Sequence, residues 1–178
     1  MKLLIVVDYQ NDFVNGSLGF DGAELLETPI LAKIKQYEVN GDHIIYTFDT
    51  QRDDYFEIRE GRGLPIKHCI DQTESHALYG KLHEHYQNSD YANVSEVFKD
   101  TFGSTDLMRM LAARVQYEQI EIVGLVSYIC VLSNAIIAKT AQPEAEIIVD
   151  TKCTAGPNPE LHEACLKLMR EALQITVI

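Results

Sequence analysis

Short runs dense in Ile, Val and Leu alternate along the chain with longer stretches whose apolar residues recur at helical spacing. The runs cover residues 2 to 7, 43 to 48, 94 to 98, 119 to 124, 146 to 149 and 174 to 178. Their apolar residues are nearly continuous, as expected for strands covered on both faces. Residues 22 to 39, 104 to 116, 128 to 141 and 159 to 172 carry the helical pattern. Ser104 with Asp106, and Pro157-Asn158-Pro159, read as helix starts. The repeated βαβ pattern predicts a three-layer α/β/α fold around a six-stranded, mostly parallel sheet. One stretch breaks it. From Asp49 to Asn93 the chain is rich in charge, His, Tyr and Gly, with at most a short helix near Ser75 to Tyr86. A connection this long inside a compact domain is usually functional, so 49–93 is read as an active-site loop region.

Length fits one domain spanning 1–178, since domains commonly hold ~100–200 residues. Fifteen Lys and Arg against 27 Asp and Glu give a net charge of −12, which repels nucleic-acid phosphates and anionic lipid alike. Neither a nucleic-acid partner nor a membrane is expected. The apolar run at residues 3 to 7 stops at Asp8, and no run approaches the ~20 apolar residues of a membrane span, so a cytoplasmic location is expected. Cys69, Cys130, Cys153 and Cys165 form no CxxC pair, which argues against a disulfide scaffold.

In open α/β sheets a ligand binds beyond the carboxyl ends of the strands. The first strand is followed by Asp8-Tyr9-Gln10-Asn11-Asp12-Phe13, with no glycine before Gly16, so no nucleotide cofactor is expected. The second is followed by Asp49, the third by Lys99, and the fourth by a segment from Gly124 to Cys130. Asp, Lys and Cys at strand ends could form a nucleophilic constellation. A thiol opening a helix feels its positive end and faces free N–H groups, an Asp can take its proton, and a Lys can keep that Asp ionised. The alternative reading makes Cys130 a small core residue, Asp8 a strand-end cap and Lys99 a solvated charge.

Taken in order, Asp8 to Phe13, Lys99, Gly124-Leu125-Val126-Ser127-Tyr128-Ile129-Cys130-Val131 and the segment from Asp150 to Gly156 resemble the isochorismatase-like cysteine hydrolases, whose best-known members are nicotinamidases. The resemblance covers the whole chain. It implies strand order 3-2-1-4-5-6, a homo-oligomer (dimer or tetramer), and a thioester mechanism on a small neutral amide. Asp8 would be the general base, Lys99 its cationic partner and Cys130 the nucleophile. A cis peptide between Leu125 and Val126 would turn the amides of Val126 and Cys130 toward an oxyanion. Because the third strand lies at the edge in that order, the loop after it would have to carry Lys99 inward. Family members with vinyl-ether substrates lack the cysteine, so Cys130 argues against that reaction.

The resemblance also implies a divalent metal, Zn, Mn or Fe, held by Asp49, Glu60 and His68. Here Gln51 stands where a second His is expected. A neutral amide oxygen is a poor substitute for imidazole, so weak metal binding is expected. Ser127-Tyr128 replaces the common Thr-Asp, and Tyr128 is expected to reshape the pocket. Phe13 is placed against a flat substrate. Cys69, Cys153 and Cys165 are read as structural, and His76 and His162 as helix-surface residues.

Overall fold

The structure, a computed structural model, describes residues 1–113 and 115–178. Six strands, β1 (Lys2–Val7), β2 (His43–Asp49), β3 (Val94–Lys99), β4 (Gln119–Leu125), β5 (Glu146–Ala155) and β6 (Thr176–Val177), form one sheet in the order β3-β2-β1-β4-β5-β6. Every pairing is parallel, so the expected fold class and strand order both hold. Residues Leu3 to Val7 are fully buried because β1 is central and covered on both faces. Leu3, Ile5 and Val7 join one core with Ile120 and Ile122, against α5 (Thr105–Ala113), α6 (Leu132–Ala141) and α7 (Pro159–Glu171). Leu4 and Val6 join the other, against α2 (Glu27–Asn40) and α4 (Gly80–Asn88).

Several boundaries move for local reasons. The segment expected to be helical from residue 22 divides into a 3₁₀ turn, Ala23–Leu26, and α2, which Gly41 closes in a left-handed conformation. The helix expected over 104–116 ends as α5 at Ala113, and Arg114 lies outside the described residues. Ser104 does start α5, its Oγ accepting from the Leu107 amide at 3.1 Å. Asn158 likewise caps α7 by accepting from the Leu161 amide at 3.0 Å. Strand β5 runs on to Ala155 through the polar stretch Asp150-Thr151-Lys152, which hid its continuation, and β6 shrinks to two residues. The register between β4 and β5 shifts between Ile122 and Gly124, absorbing that extra length.

The long region holds α3 (Arg59–Gly63) and 3₁₀ turns at Tyr55–Glu57 and Glu74–His76 as well as α4. The single short helix expected near Ser75 to Tyr86 is thus a turn followed by α4. Ahead of it, α1 (Asn11–Val14) packs beside the turn at Glu74–His76 through a backbone bond from Asn11 to Ala77. Among the described residues no helix is long and apolar enough to cross a membrane.

Candidate active site

Three adjacent strand ends deliver the polar groups. Asp8 follows β1, and Asp49 and Lys99 end β2 and β3 side by side in register. Lys99 needs no loop to carry it inward, contrary to expectation. It is the last residue of β3, and its side chain passes over the end of β2 to reach Asp8, with Nζ 2.5 Å from Oδ2. The same Nζ lies 3.7 Å from Cys130 Sγ. Thr47 holds the other Asp8 oxygen, its Oγ1 donating to Oδ1 at 2.6 Å. All three members of the cluster are buried.

Burial and mutual charge set their protonation. Burial pushes the Asp8 carboxyl above its ordinary value, and Lys99 opposes that shift. Burial works against the Lys99 ammonium, yet Asp8, Cys130 and Asp49 hold its pKa above the ordinary lysine value. Burial also raises the Cys130 thiol, against the pull of Lys99. Desolvation thus works against the thiolate that the positive end of a helix would favour, and Lys99 works for it.

Cys130 sits in a π-helical turn, Ser127–Val131, ahead of α6 rather than on a regular first helical turn. The amides of Ile129 and Val131 both donate to the Val126 carbonyl, at 3.0 and 3.2 Å. The Leu125–Val126 peptide is cis, as the resemblance implied. Gly124 precedes it with φ 113, and a Cβ there would lie 2.0 Å from the Val7 carbonyl oxygen, so only glycine lets β4 approach β1 at this point.

Beside the cluster opens a cleft of about 650 Å³, lined by Thr50, Gln51, Ile58, Phe98, Lys99 and Asp106 among others. Asp49, Glu60 and His68 meet next to it, each offering a ligand atom within 4.8 Å of the others. His68 Nε2 stands 3.4 Å from Asp49 Oδ2, while Nδ1 is bonded to the Ile66 carbonyl at 2.8 Å. Burial opposes a charge on His68, but Asp49 and that carbonyl hold its pKa above the ordinary value. Burial opposes ionisation of Asp49 as well, yet His68 and Lys99 keep its carboxyl below the usual range. Glu60 is raised, by burial and by Asp49.

The isochorismatase domain family matches residues 2–178. The isochorismatase family protein PncA of Bacillus subtilis is 32% identical over 170 residues, covering 90% of each chain. The chain belongs to the isochorismatase family. Among solved structures, nicotinamidase PncA from Bacillus subtilis is 30% identical, with TM-score 0.87 over 99% of this chain and 98% of that one. The pyrazinamidase/nicotinamidase from Streptococcus mutans is 27% identical, with TM-score 0.88 over 100% of both.

In this isochorismatase-family hydrolase the carboxylate and imidazole cluster fits a divalent ion. Two carboxylates and one ring nitrogen suit such a metal, and the Ile66 carbonyl fixes the His68 tautomer so that Nε2 faces the other donors. Gln51 does not stand in as a ligand oxygen. Its Nε2 donates to Asp49 Oδ1 at 2.7 Å, so it steadies a ligand instead of supplying one.

The two aromatic candidates stand away from the cleft lining. Phe13 is buried with its ring 5.7 Å from that of His68, a backing for the imidazole. Tyr128 packs on Gly156, and its hydroxyl accepts from the Asn158 amide at 3.2 Å, pinning the turn to the start of α7. His162 and His76, read as helix-surface residues, are half-buried and each has a partner. His162 Nδ1 pairs with Ser127 Oγ at 2.8 Å, and His76 is stacked on Phe48. Cys69, Cys153 and Cys165 are buried and free, as the structural reading requires, and burial raises all three thiols.

Sequence reasoning missed Gln10 and Asp12. Fully buried Gln10 donates to the Asp49 and His76 carbonyls, at 2.9 and 2.7 Å, and accepts from the Asp49 amide at 2.8 Å. Asp12 accepts from the Cys69 amide at 2.6 Å, fixing the backbone next to His68. The signal was available: two polar residues with no reason to be exposed, immediately after a central buried strand.

Proposed function

We propose that this hydrolase cleaves a small, neutral, planar amide through a thioester on Cys130, with nicotinamide as the leading substrate. The bond class is a carbon–nitrogen bond other than a peptide bond. The observation that carries the mechanism is the reach of Lys99 Nζ to both Asp8 Oδ2 and Cys130 Sγ in one buried cluster beside a cleft. Asp8 takes the thiol proton as sulfur attacks the amide carbon. The amides of Val126 and Cys130 hold the oxyanion, and Asp8 returns the proton to the departing ammonia. Asp8 then takes a proton from water, which attacks the thioester; the acid leaves and the thiol is restored. Lys99 keeps Asp8 ionised and faces the sulfur as it gains charge. A divalent ion held by Asp49, Glu60 and His68 would supply a Lewis-acid anchor for a ring nitrogen or for water.

Gln51 favours a second reading, an amidohydrolase of the same fold acting on a ureido-type substrate without metal, because its amide occupies the side of Asp49 where a further ligand would stand. Ammonia release from a panel of carboxamides and ureido compounds, with and without zinc, separates the two. Nicotinamide turnover raised by zinc is expected, and turnover of ureido compounds alone would replace that substrate. Cys130→Ala is expected to abolish release while leaving the thermal midpoint nearly unchanged; retained turnover would refute the thioester. Binding without turnover of any amide would leave a binding protein of this fold.

A further inference from the structure

A second cleft, of about 430 Å³, lies toward the other end of the sheet, beside the amino-terminal half of edge strand β3. Its lining includes Glu38, Tyr46, Tyr86, Tyr91 and Glu96, and no Lys or Arg. Tyr46 and Tyr86 meet edge to face, with ring centroids 5.1 Å apart and planes at 72°. Tyr91 is fixed by its hydroxyl, which donates to the Asp42 carbonyl at 2.5 Å. Glu96 accepts from the Tyr86 hydroxyl. Glu38 is held by His85 and Ser89, each at 3.0 Å. Tyr46 differs from the other two tyrosines. It is 2% exposed, it lines the cleft, and its hydroxyl has no hydrogen-bond partner among the described residues. That hydroxyl is not among the atoms sealed from solvent without a partner, so it is open to a ligand entering the cleft.

We propose that this cleft is a second binding site, for a small organic ammonium ion. Rings that present faces and edges around carboxylates attract a cation through both the ring quadrupole and charge, while an anion would meet Glu38 and Glu96. A bare divalent metal is a poorer match, because the rings give it no lone pairs and the metal-capable cluster among the described residues is Asp49, Glu60 and His68. The Tyr46 hydroxyl would accept from an N–H of a primary ammonium. The site stands apart from the catalytic cleft and does not depend on the amide reaction.

Calorimetric titration of the full chain with butylammonium and tetramethylammonium chlorides, at ionic strength held constant with sodium chloride, tests this directly. Saturable binding of both is expected, with neopentyl alcohol, the neutral shape-mimic of tetramethylammonium, at least tenfold weaker. Glu96→Gln, at an exposed position, should weaken both ammonium ions severalfold. Tyr46→Phe should weaken butylammonium more than tetramethylammonium, which has no N–H to donate. Absence of saturable binding, equal binding of the alcohol, or binding lost in Asp100→Asn, at a residue that also lines the catalytic cleft, but kept in Glu96→Gln would each overturn the assignment.

Discussion

Replacing Lys99 by Met keeps the length of the side chain and removes its charge, which leaves Asp8 buried without a counter-ion. Asp8 would then take up a proton and cease to be a base, so Lys99→Met and Asp8→Asn are each expected to lower turnover by ~10²-fold or more. Because the two act on one proton, the double variant should be little worse than either single one. Losses that multiply would show independent roles. The same burial sets the pH profile. With the Asp8 carboxyl above its ordinary 3.8, the acid limb of kcat/KM is expected above that pH, rising as Asp8 ionises. At the neighbouring cluster, Gln51→His substitutes a ligand nitrogen for an amide that now donates to Asp49. Zinc affinity, measured by chelator competition, should rise by roughly 10–100-fold. Tight stoichiometric zinc in the unsubstituted protein would show that Gln51 does not weaken the site.

Gly124 is where an element, rather than a side chain, controls the site. Its positive φ and its contact with Val7 let β4 lie against β1 just before the turn that carries Cys130. Gly124→Ala is expected to lower stability by about 3 kcal/mol in urea unfolding, from backbone strain together with the clash. A loss under 1 kcal/mol would mean that the strands separate easily. Such positions mark how far a sequence can be read. The strands and the residues at their ends were legible because fully covered strands leave long apolar runs, and the first polar residue after each run had to face the crevice. The order of the motifs added the roles proposed for Asp8, Lys99 and Cys130. The π-helical turn, the continuation of β5 through Asp150 to Lys152 and the inward reach of Lys99 were not legible, since each depends on register between strands. Gln10 and Asp12 could have been placed near the crevice from their position after β1, but not paired, because their partners, Asp49 and Cys69, are distant in the chain.

Across the whole molecule, a buried ionic network fastens α2 to the sheet. Lys33 reaches Glu121 on β4 at 2.5 Å and Asp150 on β5 at 2.9 Å, and the Tyr37 hydroxyl donates to Glu121 at 2.9 Å. Burial alone would raise the Asp150 carboxyl, but Lys33 and the Lys152 amide hold it below its ordinary 3.8. The unfolded chain therefore takes up that proton first as pH falls. The stabilisation is full at neutral pH, fades as pH approaches 3.8 and is gone below the folded value. Asp150→Asn should thus lower the unfolding free energy measured in urea at pH 7 by about 1–3 kcal/mol, and its difference from the parent should shrink as pH falls below 3.8. A difference that persisted in acid would rule out this carboxylate as its source.

The sheet order has a further consequence for synthesis. Strand β1, the first to be made, ends up at the centre, with β2 on one side and β4 on the other. Until Leu125 has left the ribosome, β1 can pair along one side only, and its other row of N–H and C=O groups stays open to any extended strand nearby. In the mechanism proposed above, Asp8 must also wait for Cys130 to be made before it has a thiol to deprotonate. A nascent chain that stops short of β4 therefore carries an adhesive strand, and by the proposed mechanism it gains its activity and loses its stickiness at nearly the same step.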